Sequence, residues 1–299
     1  MRPGWQVGQV GLMLTIQERV AAARETLCQA GIGPDEAALS ARVLAEHVLG
    51  WDATRFFTSA NESEPSEFAA RYGALVARRA AREPAAYIMG RRDFWGLSLE
   101  VSAAVLIPRP ETELIVEAAL EQVGPERNNP LIVADACTGS GCLAIALARE
   151  LPRASIVATD ISEEALDVAR RNATTHDVAD RIRFVRANVL NGIRGTFDLI
   201  VGNPPYVRRR DQPALQPEVR DYEPEVALFG GDSGVEIVAA LIEQAARRLR
   251  PDGCLVFEFG FGQDMVVEEL IERTSGFRLL GLRRDLQGIA RTAVAKRTR

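Results

Sequence analysis

Residues 131–160 read LIVADACTGSGCLAIALARELPRASIVATD, and this stretch decides the fold. It opens on a short apolar run, Leu131 to Ala136, the pattern of a strand buried on both faces of a parallel sheet. Small residues follow: Cys137, Thr138, Gly139, Ser140 and Gly141. They let the backbone turn sharply into a helix N-terminus and pass close to a ligand. Gly141 to Leu151 reads as a helix, and residues 155–159 (SIVAT) as a second strand ending on Asp160. The alternation continues downstream. Helices are expected over 162–175, 234–249 and 264–274, and strands over 181–187, 197–202 and 254–260. An antiparallel pair, 277–282 with 289–295, closes the domain. This is the signature of an α/β, Rossmann-like, doubly wound sheet with helices on both faces.

Working outward, residues 15–82 carry helical spacing. Thr15 with Glu18 is a capping box, Pro34-Asp35-Glu36 opens a second helix whose stripe includes Leu39 and Leu44, and a third runs from about Pro65 to Arg82. Residues 87–90 and 94–101 read as extended, with Gly96 suggesting a hairpin. Ile107 to Glu113 is stiffened by two prolines, and a helix starts at Thr112. This segment reads either as a rigid linker with an N-cap or as a lid over the cofactor cleft, with Glu113 reaching a cationic group. The expected organisation is a loose tail (1–12), a helical domain (13–83), a β-hairpin connector (84–107) and the α/β domain (108–299).

The 299 residues have 47% hydrophobic and 26% charged content, that of a soluble globular protein. A net charge of −5 argues against bulk electrostatic binding of nucleic acid. The four cysteines form no CxxC pair and the two histidines are isolated, so no metal site is expected. The cysteines suit a reducing, cytoplasmic compartment. No apolar run is long enough to span a membrane.

Residues 139–144, GSGCLA, also satisfy the dinucleotide fingerprint, so the loop by itself indicates only an adenosine-containing cofactor. Asp160 suits ribose hydroxyls in either case. Three features favour S-adenosyl-L-methionine over a nicotinamide: Asp135 inside the motif, suited to an α-amino group; Asn188 after the third strand, suited to an adenine edge; and Asn203-Pro204-Pro205-Tyr206 after the fourth. Prolines end that strand and stiffen Asn203. Its amide oxygen, with a backbone carbonyl such as that of Pro204, can hold both hydrogens of a planar nitrogen and turn it toward a methyl group. Tyr206 is expected to pack on the planar group.

With these residues the chain resembles the bacterial peptide chain release factor glutamine N5-methyltransferases (HemK/PrmC type). The resemblance runs from about residue 13 to the end. It rests on EPAAYIMGRRDFWGLSLEV, LIPRPETE, DACTGSG, NPPY, EVRDYEPEVALFGGDSG and RDLQGIAR taken together. It implies a class I S-adenosylmethionine-dependent methyltransferase domain with a seven-stranded sheet, and a helical domain that docks the substrate. The partners implied are class I release factors, methylated on the glutamine of their Gly-Gly-Gln loop. Asn203, Pro204, Pro205 and Tyr206 match the family's substrate-amide site. Cys137 to Gly141, Asp160 and Asn188 match its cofactor site, to which Asp135, Ile161, Val189, Glu113 and Asn203 are added as candidates. Cys137 stands where many members have Gly, and Asn188 where Asp is usual. The alternatives are a ribosomal-protein glutamine methyltransferase and a DNA adenine N6-methyltransferase.

Overall fold

A computed structural model describes residues 14–298; the tail expected over 1–12 lies outside the described residues. The chain divides into two compact units between Met89 and Gly90.

The first unit is helical. Helix α1 (Ile16–Gln29) starts on the capping box: the Glu18 N–H donates to the Thr15 hydroxyl, and the Thr15 N–H donates to the Glu18 carboxylate. Helix α2 (Pro34–Leu49) begins on a proline, whose missing N–H has no partner to lose in a first turn, and stops at Gly50. Helix α3 (Ala53–Ser59) is too short to show a periodicity in sequence. In α4 (Phe68–Ala80), Tyr72 stacks on Phe68 with ring centroids 5.0 Å apart and donates its hydroxyl to the Ala41 carbonyl at 2.8 Å. The expected stripe of α2 is displaced. Ala37, Ala41, Leu44 and Ala45 are buried, while Leu39 is 52% exposed. Small side chains let helix backbones approach, and the apolar rank of Leu39 does not outweigh that geometry. Residues 85–89, expected in part to be extended, form α5 (Ala85–Met89), because Pro84 precedes its first turn and accepts from the Ile88 N–H.

The second unit opens with a hairpin, β1 (Arg91–Phe94) and β2 (Leu97–Glu100). Its turn residues Trp95 and Gly96 both have positive φ, as a two-residue turn matching the strand twist requires. The order is then α6 (Glu113–Val123), β3 (Ile132–Ala136), α7 (Cys142–Glu150), β4 (Ser155–Asp160), α8 (Glu163–Thr175), β5 (Ile182–Arg186) and β6 (Phe197–Gly202). After β6 come α9 (Pro217–Tyr222), α10 (Glu225–Leu228), α11 (Glu236–Arg248), β7 (Leu249–Glu258), α12 (Asp264–Arg273), β8 (Phe277–Arg284) and β9 (Ala290–Arg297).

Among the described residues these strands form a seven-stranded sheet in the order β5-β4-β3-β6-β7-β9-β8. The first five are parallel, and β9 enters antiparallel between β7 and β8. Strand alternation sends side chains to two apolar layers. Val133, Leu199 and Val201 join one; Ala134, Ile200 and Phe257 join the other. Each fully buried aliphatic side chain contributes about 1.5–3 kcal/mol, so the strand tips are carried on a rigid platform.

The order in which successive parallel strands are added reverses between β3 and β6, where open α/β sheets leave a crevice. Register sets what faces it. Ala136 pairs with Thr159 on one side and Gly202 on the other, so the loop at Cys137, Asp160 and Asn203 leave the sheet side by side.

Candidate active site

At these carboxyl ends lies a cavity of about 490 Å³. Cys137, Thr138, Gly139, Ser140, Asp160, Ile161, Asn188, Val189, Asn203 and Pro205 all line it. Much of the remaining wall comes from two segments far apart in sequence, Ala104 to Thr112 and Glu225 to Phe229, with Arg209.

The β3 loop is built by unusual backbone. Cys137, Gly139 and Gly141 have φ of 60°, 53° and 83°. Gly141 starts α7 and lies so close to α8 that a Cβ would sit 3.1 Å from that of Ala169, a tight contact added to the strain of its positive φ. Gly141 itself is behind the wall. Asp135 is also behind it, fully buried at the end of β3. Its Oδ2 accepts from the Thr138 hydroxyl at 2.5 Å and from the Ala144 N–H at 3.1 Å. Its Oδ1 has no hydrogen-bond partner, and burial pushes the carboxyl up to about 7 in spite of those bonds. Asn172, on α8, ties the loop to the hairpin: its Nδ2 donates to the Ser140 and Glu100 carbonyls and its Oδ1 accepts from the Glu100 N–H.

Asp160 accepts from the Gly139 N–H at 2.9 Å and the Ser162 N–H at 3.0 Å. A carboxylate has about four lone-pair directions, so acceptor capacity remains on the cavity side. Burial holds its carboxyl above the ordinary range. Burial likewise pushes the Cys137 thiol up, and that of Cys142 to about 12, so neither offers a thiolate at neutral pH. The next loop is held from behind, the Thr159 hydroxyl donating to the Val189 carbonyl at 2.6 Å.

On the other side of the crevice, the Asn203 Nδ2 donates to the Thr112 hydroxyl at 3.1 Å. Thr112 donates in turn to Glu258 Oε2 at 2.7 Å, and the Tyr206 hydroxyl donates to Glu258 Oε1 at 2.9 Å. Thr112 and Glu258 are each 1% exposed. Thr112 is expected to cap α6, but its side chain makes no cap and serves this network instead. Tyr206 is not brought to the wall: its ring packs in the core and its hydroxyl is turned onto Glu258. Burial, then the Glu258 charge, raise its phenol well above the ordinary range.

The main chain of Asn203-Pro204-Pro205-Tyr206 is clasped as well. The Val207 N–H donates to the Leu228 carbonyl and the Gly230 N–H to the Val207 carbonyl, as in a fragment of parallel ladder. A Cβ on Gly230 would collide with the Pro205 carbonyl oxygen. The buried Gln263 donates to the Tyr206 carbonyl at 2.9 Å and accepts from the Gly260 N–H. The two distant wall segments are joined by Glu223, which accepts from the Arg109 guanidinium and from the Ile107 N–H.

Glu113 is not brought to the cavity. Its carboxylate accepts from the Trp95 N–H at 2.7 Å and braces the hairpin turn, so it does not stand as the cation-binding end of a lid. The residues that sequence reasoning passed over are Thr112, Glu223, Gly230, Glu258 and Gln263. One signal was visible: Glu258 interrupts the apolar strand CLVFEFG, where a charge needs a partner.

A parallel sheet closed by an inserted antiparallel strand, with a glycine-rich turn after β3 and an acid ending β4, defines a class I methyltransferase fold. Residues 112–218 match the family model described as "Methyltransferase small domain", and residues 18–90 that of the "PrmC N-terminal domain". A methyltransferase structure from Pyrococcus furiosus aligns with a TM-score of 0.52 at 19% identity, over 76% of this chain and 98% of that one. The sequence is 43% identical over 265 residues to the release factor glutamine methyltransferase of Bradyrhizobium diazoefficiens, covering 88% of this chain and 89% of the relative. It is 39% identical over 286 residues to that of Nitratidesulfovibrio vulgaris, covering 95% of each. The chain belongs to the release factor glutamine methyltransferase family.

Proposed function

We propose that the protein transfers a methyl group from S-adenosyl-L-methionine to the side-chain amide nitrogen of a glutamine, that of the Gly-Gly-Gln loop in class I release factors. One observation carries this reading: Asn203 is held by its NH2 end, on Thr112, beside a cavity walled by the β3 and β4 loops. The amide oxygen is the end left to meet a substrate.

The walls suit the cofactor. Asp160 retains acceptor capacity for ribose hydroxyls, and the loop brings only the small residues Cys137, Thr138, Gly139 and Ser140 to the wall. Asp135, behind that wall with an unpaired oxygen, lends in its ionised form negative potential to a site for a cationic donor. When bound, S-adenosylmethionine supplies a methyl group made electrophilic by a sulfonium. The acceptor is the harder partner, because an amide nitrogen shares its lone pair with the carbonyl. Asn203 Oδ1 and the Pro204 carbonyl together would accept both N–H bonds. This aims the nitrogen's lone-pair axis at the methyl carbon and favours positive charge growing on the nitrogen, which is relieved when the methylated nitrogen gives up one of its two protons. The wall segments joined by Glu223 and Arg109 exclude water from the donor.

Tyr206 acts from behind, holding Glu258, and not by packing on the substrate. The helical unit is assigned to docking the body of the release factor, for which the exposed Phe57 and Leu39 offer apolar contact. Among the described residues no helix is long and apolar enough to cross a membrane, and the compartment proposed is the cytoplasm, where release factors work. The test is mass spectrometry of a class I release factor incubated with the protein and the methyl donor. One added methyl on the Gly-Gly-Gln peptide is expected, and an unmodified peptide under conditions of proven cofactor binding ends the proposal.

A further inference from the structure

The two ends of the Asn203 carboxamide are nearly equal in size but opposite in hydrogen-bonding sense. Packing alone therefore cannot choose between them. What chooses is the direction in which protons are passed along the buried chain behind it. Burial raises the Glu258 carboxyl above its ordinary range, while the Thr112 and Tyr206 hydroxyls and then the Arg291 charge favour its ionised form. An ionised carboxylate only accepts. Glu258 has its two oxygens engaged separately, Oε2 by the Thr112 hydroxyl at 2.7 Å and Oε1 by the Tyr206 hydroxyl at 2.9 Å. The single hydroxyl proton of Thr112 is thereby committed to Glu258. Toward Asn203, 3.1 Å away, Thr112 has only lone pairs to offer. That position accepts the NH2 end of the amide and rejects the oxygen end, which would leave two acceptors facing each other with no proton between them.

We propose that Glu258 is a positioning residue which, through Thr112, fixes the polarity of Asn203, so that the cavity is presented with an acceptor and never with an NH2 group. This sets the class of substrate as well as the rate. A nitrogen that carries hydrogens is welcomed, and a group with only lone pairs is refused. Tyr206 has the supporting part of pinning the second carboxylate oxygen, which keeps the first aimed at Thr112. The inference rests on the reading of Asn203 as the residue that orients the acceptor.

The test uses the full-length protein and four forms: wild type, Thr112→Val, Thr112→Ser and Glu258→Gln. Glu258→Gln keeps volume and replaces one acceptor with a donor, so the chain of protons can run either way. Two readouts are needed. The first is the side-chain amide signal of Asn203 in a nitrogen–proton correlation spectrum, identified by its loss in Asn203→Ala. Wild type and Thr112→Ser should show one slowly exchanging pair. Thr112→Val should show fast exchange, and Glu258→Gln two sets. The second is methyl transfer to a class I release factor. Thr112→Val should lose about tenfold or more in kcat, with the dissociation constant for S-adenosylmethionine within about twofold, and Thr112→Ser should recover most of the rate.

A single unchanged Asn203 signal and wild-type kcat in both Thr112→Val and Glu258→Gln overturn the proposal. So does a loss of cofactor affinity in step with kcat, which marks a general structural role. Should wild type leave the release factor unmethylated while the Asn203 signal still responds to Glu258→Gln, the relay stands and the assigned reaction falls. The two ideas thus fail separately.

Discussion

The crevice has two halves built on different principles. On the β3–β4 side, the loop 137–141 and Asp160 are local: each sits at the tip of its own strand, and Asp160 bonds a loop only 21 residues away. On the β6–β7 side, Asn203 depends on Thr112, 91 residues earlier, and Thr112 on Glu258, 146 residues later. The cofactor half is shaped mainly by backbone, and the acceptor half by buried side chains. Damage to the first should therefore appear as lost affinity, and damage to the second as lost turnover.

The largest expected effect is on the acceptor side. Asn203→Ala should lower kcat by about 10²–10³-fold and leave the dissociation constant of S-adenosylmethionine within about twofold. Near-normal turnover in steady-state assays would erase the proposed distinction between the halves. Gly230→Ala is next. A Cβ there has no room beside the Pro205 carbonyl, and a displacement on the order of 1 Å at the acceptor loop should cost about 10–100-fold in kcat. Retained cofactor affinity by calorimetry, with reduced kcat, is the expected pattern; parallel loss of both would mean the halves are not separable.

Asp160→Ala tests the opposite half. Loss of charge-assisted hydrogen bonds to the ribose should weaken cofactor binding by about 10–100-fold, with kcat at saturating cofactor largely kept. An unchanged dissociation constant would remove Asp160 from the site. The smallest effect concerns pH. Each half buries a carboxyl that burial raises; Glu258 has both oxygens paired, whereas Asp135 has one unpaired and is pushed up to about 7. A carboxyl raised in the folded state favours folding while protonated. That stability is fully present below the unfolded value, about 3.9, and is lost as pH rises through about 7. Asp135→Asn should therefore gain in Tm relative to wild type as pH is raised from about 5 to 8, by a few degrees. A constant difference across that range would show that Asp135 does not titrate there.

The two halves were not equally legible in sequence. The glycine-rich turn, Asp160 and Asn203 announce themselves because a strand ending on small, acidic or proline-flanked residues has few other uses. The tight turn at Gly141 and the strand register then follow locally. Tyr206 shows the limit. Its place beside Asn203 suggested contact with the substrate, but a phenol next to a buried carboxylate gains more from donating to it than from lining a cavity. Glu113 misled for a similar reason, since the N–H of the Trp95 turn takes up its carboxylate. In the helical unit, Leu39 looked like core by hydropathy, yet close packing preferred the alanines of α2.

What the chain alone determined is the succession of strands and helices, because periods of two and 3.6 residues express local burial wherever the segment later lies. It also determined the residues at the strand tips, since proline and glycine restrict backbone by their own covalent structure. What only the tertiary structure decided is partnership: Glu258 for Thr112, Glu223 for Arg109, Gly230 against Pro205. A buried polar group must find a partner, but for Thr112 and Arg109 that partner is fixed by the folding of segments more than a hundred residues apart, and no local pattern records that meeting.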